Sequence, residues 1–191
     1  GRLNWVLGEL MYLCIAAITY LLGVIIGTML CSLPYVPIVG SDWSIVATDY
    51  TAILKDDALK TVAMLLPGNL YHQMGPMDAV MGSCFLLFLY LTLMGTVLLA
   101  TSLLRIKFLG IATNASLLLV GTGFVVLDSS WMWAFPSAHA LTWVHFTPYF
   151  RVPVCPLWTS WLYFSMGAII MIVLAILIAK ERSFDSILEF D

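Results

Sequence analysis

The sequence predicts an all-α protein: a polytopic bundle of transmembrane helices with amphipathic or re-entrant helices in its outer loops. Of its 191 residues, 62% are hydrophobic and 10% are charged, whereas a soluble domain carries about 25% charged residues to hydrate its surface. The apolar residues also collect in four long runs. Lipid is therefore the solvent that suits most of this surface, and we expect residues 1–191 to form a single transmembrane domain.

Each of the four runs is long enough to cross a hydrocarbon core of about 30 Å, which takes about 20 apolar residues. We expect the spans at residues 10–33, 79–104, 108–127 and 158–179, joined on the outer side by loops 34–78 and 128–157. None of the spans contains an Asp, Glu, Lys, Arg or His. Because ionisable residues inside a membrane usually mark ion or proton pathways, we expect no ion coupling within the spans.

The positions of Lys and Arg predict the orientation, since short cytoplasmic loops are enriched in both. Four crossings place five basic residues on the side of the two termini and three on the other side. The first set is Arg2, Arg105, Lys107, Lys180 and Arg182, and the second is Lys55, Lys60 and Arg151. The larger set adjoins the span ends in very short segments, where the rule is strongest. We therefore expect a multi-pass protein of the cell membrane with both termini in the cytoplasm.

The two outer loops differ in character. In the first, residues 50–66 have apolar positions at helical spacing, which fits either a helix on the membrane surface or one packed against the spans. The second is rich in Trp, Pro and His, and residues 137–146 are apolar enough to dip into the outer leaflet and return. Irregular backbone at that depth must be shielded by protein. We expect a re-entrant outer cap that includes Trp133, Pro136, His139, Trp143 and His145.

One short string has a catalytic appearance. The sequence 136-PSAHA-140 resembles the PSGH element of the phosphatidic acid phosphatase family, in which the His is expected to assist phosphate-ester cleavage. Such chemistry needs a cationic clamp on the phosphoryl group, yet Arg151 is followed by Val152 and no His follows His145. An outer-leaflet enzyme of lipid-linked substrates that uses His139, His145 and Asp128 stays open as an alternative.

Other kinds of site have little support in the sequence. His139 and His145 are six residues apart, which would place them on different faces of one helix, so we expect no metal there. No GxxxxGK[ST] or GxGxxG motif occurs, and we expect no cofactor. The net charge of −3 and the lack of a basic run argue against a nucleic-acid partner. The four cysteines show no ligand spacing, although Cys31 and Cys155 fall near the same membrane face and a bridge between them stays open.

The layout nevertheless resembles a known family. The opening 1-GRLNWVLGELMYLCIAAITYLL-22, the Trp- and Pro-rich loop before the last span, and the ending 167-GAIIMIVLAILIAKERSFD-185 are similar to bacterial ABC transporter permeases of the type-2 export class. Such permeases are expected to have six spans with both ends inside, and this chain would match the last four. Since the chain starts at Gly1 without a methionine, we expect it to be the C-terminal part of a longer protein.

The resemblance implies partners and a coupling surface. The permease would form the translocation path together with a second copy or a homologous permease, and a separate cytoplasmic ATPase subunit would supply the energy. The surface that meets the ATPase would include Arg2, Leu3, Asn4, Trp5 and Glu9. We accordingly expect an exporter subunit that is not an enzyme by itself. A non-catalytic accessory subunit of another membrane complex is the remaining alternative.

Overall fold

The computed structural model describes residues 2–32, 43, 73–104, 107–146 and 154–181, and these residues form the predicted all-α bundle. The long helices are α1 (Arg2–Ser32), α2 (Pro76–Leu103), α3 (Lys107–Val126) and α5 (Leu157–Glu181). Between α3 and α5 lie a 3-10 helix η1 (Ser130–Ala134), the short helix α4 (Pro136–Ala140) and a second 3-10 helix η2 (Thr142–His145). The four long helices are each long and apolar enough to cross a membrane. The helix expected within residues 50–66 lies outside the described residues.

Two helices extend beyond their predicted spans at the N-terminal end. Helix α1 begins at Arg2 rather than near residue 10, because Val6 is fully buried in a cluster with Leu103 of α2 and Ala179 of α5. Helix α2 begins at Pro76, with Gly75 as its N-cap and Asp78 in its first turn. Pro at the first helical position and an acid in the first turn both favour a helix start. Predicted spans are runs of uncharged, apolar residues, so they leave out the polar residues at the start of a helix.

Helix α2 is the centre of the bundle and packs against α1, α3 and α5. A Cβ at its Gly95 would lie 2.9 Å from Cδ2 of Leu13, so the missing side chain lets α1 approach closely. At the contact with α3, Nδ2 of Asn114 donates a hydrogen bond of 3.0 Å to the carbonyl oxygen of Met94. A hydrogen bond between membrane helices adds about 1 kcal/mol to their association. Helix α2 is thereby held against both α1 and α3.

The packing also shows which helix ends lie together. The cluster around Val6 joins the start of α1 to the ends of α2 and α5, through Ala100, Leu103, Ala175 and Ala179. A second cluster, formed by Leu86, Leu93 and Phe164, joins α2 to α5 further toward the other end. The start of α1 and the end of α5 are therefore on the same side of the bundle.

A buried histidine pair as the candidate functional site

The candidate site lies in the segment between α3 and α5, residues 129–146, which we call the cap. The cap begins where α3 ends in a Schellman motif. The backbone N–H of Ser129 donates to Phe124 at 3.1 Å, and that of Asp128 donates to Val125 at 3.2 Å. Asp128 takes the left-handed conformation that this motif requires, with φ of 48°. Its position is therefore explained by the turn that redirects the chain into η1.

The cap is bound to three of the long helices. The hydroxyls of Ser83 in α2 and Thr142 are 2.8 Å apart, and the hydroxyl of Tyr163 in α5 donates to the carbonyl of Ala134 at 3.0 Å. At α3, Gly121 leaves room for Ser137, because a Cβ there would lie 2.6 Å from the Ser137 hydroxyl. Gly121 and Ser83 lie five and seven residues inside their helices, or about 7 and 10 Å from the helix ends. The cap thus sits between the helices, below their ends.

Within the cap, two imidazoles converge on one serine. Nδ1 of His139 is 2.7 Å from the Ser160 hydroxyl oxygen, and Nε2 of His145 is 3.1 Å from the same atom. The other nitrogen of each ring faces a backbone carbonyl: Nε2 of His139 is 2.9 Å from that of Trp133, and Nδ1 of His145 is 2.7 Å from that of Cys155. Ser160 lies in the first turn of α5. The cluster therefore joins η1, α4, η2 and α5.

Aromatic rings surround the pair. Tyr163 stacks on His139 with ring centroids 4.2 Å apart, and Phe164 lies edge-on at 6.2 Å. The indole of Trp133 lies 5.5 Å from His139 and 5.2 Å from His145. Ser160 and His145 are fully buried, and His139 is 5% exposed. The two rings therefore have an electron-rich and nearly dry environment.

Burial lowers the pKa of both imidazoles, because a low-dielectric site disfavours the charged ring. For His139, the Trp133 carbonyl opposes this effect and the neighbouring His145 reinforces it. For His145, hydrogen bonds to the backbone of Cys155 and of His139 oppose it. No carboxylate contributes to either shift. Both rings therefore hold a proton less readily than an exposed His.

The arrangement limits the chemistry that the cluster can perform. A serine hydroxyl 2.7 Å from an imidazole nitrogen has the geometry of an activated nucleophile, but full burial of Ser160 withholds it from a substrate in this conformation. Among the described residues, no group of three His, Cys, Asp or Glu side chains could hold a metal ion. Asp128 is exposed and does not join the two histidines. The site is thus a closed polar cluster rather than an open pocket.

The sequence interpretation of the two histidines was wrong in one respect. It treated His139 and His145 as residues of one helix that point to different faces. The chain instead breaks at Leu141 between α4 and η2, and this turn brings the ring centroids to 6.4 Å. Of the other cap residues, Pro136 is buried at the start of α4, Trp133 lines the pair and Trp143 is partly exposed. Ser160 was not singled out, since it lies inside an apolar run and has no spacing signal of its own.

The expected coupling residues lie at the start of α1. Asn4 is exposed, and Glu9 and Trp5 are half-buried. Trp5 packs against the cluster around Val6 and so contributes to the bundle itself. The side chains of Arg2 and Leu3 lie outside the described part of the chain. All four cysteines are free thiols, so the structure contains no bridge between Cys31 and Cys155.

These features define a polytopic helical membrane protein whose cap encloses a buried histidine pair. No protein family, curated protein or solved structure matches this chain.

Proposed function

We propose that this chain is the membrane-spanning permease subunit of an ATP-driven exporter of the ABC type. It forms the translocation path with a second copy or a homologous permease, and a separate cytoplasmic ATPase supplies the energy. The proposal rests on the family resemblance of the sequence and on one structural observation, which is the polar character of an exposed face of α1.

This face, which we call the α1 face, carries two phenols close to mid-depth. Tyr12 and Tyr20 are 68% and 59% exposed, and neither has a hydrogen-bond partner among the described residues. They lie five and three residues from Ala17, the middle of α1, or about 7 and 4 Å along the axis. Moving a hydroxyl from water into hydrocarbon without a hydrogen-bond partner costs about 1 to several kcal/mol of free energy. Such a face is better suited to a translocation path or a second subunit than to lipid.

The shape of the α1 face supports the same conclusion. A shallow, wide-open concavity of about 660 Å³ lies on it, lined by residues of α1 alone, among them Ala16, Thr19 and Gly23. Gly23 and Gly27 are four residues apart, and a Cβ at either would meet nothing within 4 Å. Small residues at this spacing let a second helix approach closely. An open apolar face that also carries hydroxyls fits an amphipathic cargo.

The residue types in the spans argue for ATP, rather than an ion gradient, as the energy source. The four predicted spans contain no ionisable residue that could bind and release a coupling ion. The chain also has no phosphate-binding motif. A partner ATPase that contacts the start of α1, around Asn4, supplies what this chain lacks.

Thiol labelling along α1 tests the path. In a cysteine-free variant, Tyr12→Cys and Tyr20→Cys are introduced singly and exposed in membranes to a charged thiol reagent, with and without ATP. We expect both to react, at rates that change at least twofold with ATP, because a water-accessible path opens and closes during transport. Leu119→Cys, on an apolar face of α3 with 72% exposure, is the control and should stay unreactive in lipid.

Each other result excludes part of the proposal. If Tyr12→Cys and Tyr20→Cys are as unreactive as Leu119→Cys, the α1 face lies in lipid or in a dry interface and forms no path. If they react at rates that ATP leaves unchanged, the chain is an accessory subunit and not an ATP-driven permease.

A further inference from the structure

The hydrogen count of the buried histidine cluster leads to an inference that does not depend on the exporter function. A backbone carbonyl can only accept a hydrogen bond. Nε2 of His139 and Nδ1 of His145, which face the carbonyls of Trp133 and Cys155 at 2.9 and 2.7 Å, must therefore each carry a hydrogen. In neutral rings, the remaining nitrogens, Nδ1 of His139 and Nε2 of His145, are then bare acceptors.

Both bare nitrogens face the same hydroxyl, at 2.7 and 3.1 Å. A serine hydroxyl has one hydrogen and can donate it to only one of them. The other nitrogen then points its lone pair at the Ser160 oxygen, at hydrogen-bond distance and with no hydrogen between the two atoms. The neutral cluster is one hydrogen short, and its members are shielded from solvent.

One added proton completes the cluster. If His145 carries it, Nε2–H donates to the Ser160 oxygen and the hydroxyl donates to Nδ1 of His139. If His139 carries it, both bonds reverse. The two forms interconvert when one proton moves from a ring nitrogen to the Ser160 oxygen while the hydroxyl proton moves to the other ring. The positive charge changes ring, and no other bond is altered.

We propose that His139, Ser160 and His145 form a binding site for a single proton, which the two imidazoles share through the Ser160 hydroxyl. The surroundings fit a shared cation. Two carbonyls direct their negative ends at the rings, and the faces of Tyr163 and Trp133 lie within 5.5 Å of an imidazole centroid, in the range where a ring stabilises a cation. A second proton is excluded, since two charged rings with centroids 6.4 Å apart would repel each other in a dry site.

Among the residues that the structure describes, few other titratable groups face the pair. From α5, Tyr163 stacks on His139 and uses its hydroxyl on Ala134. Cys155, just before α5, places its thiol 2.9 Å from Thr159. From α2, Tyr90 lies behind Phe164, 6.3 Å from that ring. The described parts of η1 and α3 direct no charged side chain at the pair, and Asp78 and Asp128 are exposed.

Burial and the hydrogen bonds of the two rings together determine the pH at which the site takes up its proton. Burial lowers the pKa of both rings, so the site takes up its proton below about pH 6.5, the ordinary value for His. The proton completes the bonds between η1, α4, η2 and α5. Because an exposed His keeps its higher, ordinary pKa, an opened cap takes up protons first on acidification, and the closed cap is therefore held less firmly as the pH falls through about 6.5.

Nitrogen NMR of histidine tests the site directly. The full chain, labelled with ¹⁵N-histidine and carrying His72→Gln so that two histidines remain, is reconstituted in lipid nanodiscs and titrated from pH 8 to pH 4.5. We expect the Nε2–H tautomer for His139 and the Nδ1–H tautomer for His145 at pH 8. On acidification, both rings should shift together with one midpoint below pH 6.5, and each should stop about halfway to the fully protonated value.

Variants and contrary outcomes complete the experiment. Ser160→Ala should abolish the common midpoint, because the relay between the rings is lost, whereas Ser165→Ala, at an exposed serine of the same helix, should leave the titration unchanged. If Ser160→Ala does not fold, the histidine titration of the chain that retains Ser160 decides alone. Two separate midpoints near pH 6.5, full protonation of both rings, no uptake down to pH 4.5, or other tautomers at pH 8 would each overturn the proposal.

Discussion

Helix α3 and the cap come into close contact at Gly121, because glycine has no side chain to hold them apart. A Cβ there would lie 2.9 Å from Cβ of Phe135 and 3.1 Å from Cβ of Ser137. Both atoms adjoin the backbone, so they cannot move aside as the tip of a flexible side chain would. The only way to admit a methyl group is to move the cap away from α3.

We therefore expect Gly121→Ala to lower the free energy of unfolding by about 1–3 kcal/mol, the usual cost of overpacking. Thermal unfolding in detergent measures the change, and proteolysis of the cap shows where the structure loosens. Gly123→Ala is the matched control in the same helix, because a Cβ at that position meets nothing within 4 Å. Its stability should be unchanged or slightly raised, since Ala favours helix over Gly. Equal losses in both variants would mean that the cap does not dock at Gly121.

The single residue Ser160 illustrates why part of the site was not predictable. Its hydroxyl organises the histidine pair, but it is 15 residues from His145 and 21 from His139 along the chain. No local pattern marks it, because one serine in an apolar helix normally bonds its own backbone. Only the fold of the cap against α5 gives the residue its role.

At the scale of elements, the first turns of α1 carry both packed and exposed side chains. Val6 and Trp5 pack against the ends of α2 and α5, whereas Asn4 is exposed. A substitution at Trp5 would therefore disturb the bundle as well as any partner. Asn4 is the better position at which to test contact with an ATPase subunit.

We expect Asn4→Trp to remove at least nine-tenths of an ATPase that co-purifies with the chain, because a large side chain in an interface prevents close packing. The bound ATPase is measured by mass spectrometry and by ATP hydrolysis of the purified complex. Ser130→Trp is the control, since Ser130 is also polar, exposed and in the first turn of its helix, but lies beyond the other end of α3. Retention of the ATPase by the Asn4 variant would place the coupling surface elsewhere.

The long helices were predictable because each depends mainly on its own composition. Each predicted span coincides with one of the four long helices, and no span extends more than about one residue beyond its helix. Helices α1 and α2 start before their predicted spans, because polar residues at a helix end are kept by tertiary packing and capping. The cap was harder, since three short helices separated by turns have no period that reveals them.

For the whole molecule, the most informative quantity is how little of each outer helix is buried. Inside the chain, 39% of the apolar core of α2 is buried, but only 11% of that of α1 and α3 and 17% of that of α5. Lipid can cover the largely apolar faces of α3 and α5, whose exposed hydroxyls at Ser116, Thr122 and Ser165 are on short side chains that can bond to carbonyls of their own helix. The α1 face, with its two phenols and open glycines, is the one that needs another kind of neighbour.

Because the helix ends have fixed relative positions, the side of the membrane on which one end lies determines the side of all the others. The start of α1 and the end of α5 share one side, and the two ends of α3, near Phe108 and Trp131, mark opposite sides. Both of these side chains are well exposed, at 78% and 69%. The distribution of Lys and Arg predicts that the side of Phe108 faces the cytoplasm.

Labelling in intact cells tests this orientation. In a variant whose native cysteines, Cys14, Cys31, Cys84 and Cys155, are replaced by Ser, Trp131→Cys should react with a membrane-impermeant maleimide and Phe108→Cys should not. Permeabilised cells should label both, which controls for reactivity. The opposite pattern would invert the protein and place the cap, its histidine pair and its proton site on the cytoplasmic side. Labelling of both positions in intact cells would mean that α3 does not cross the membrane, and the four-span arrangement would then fail.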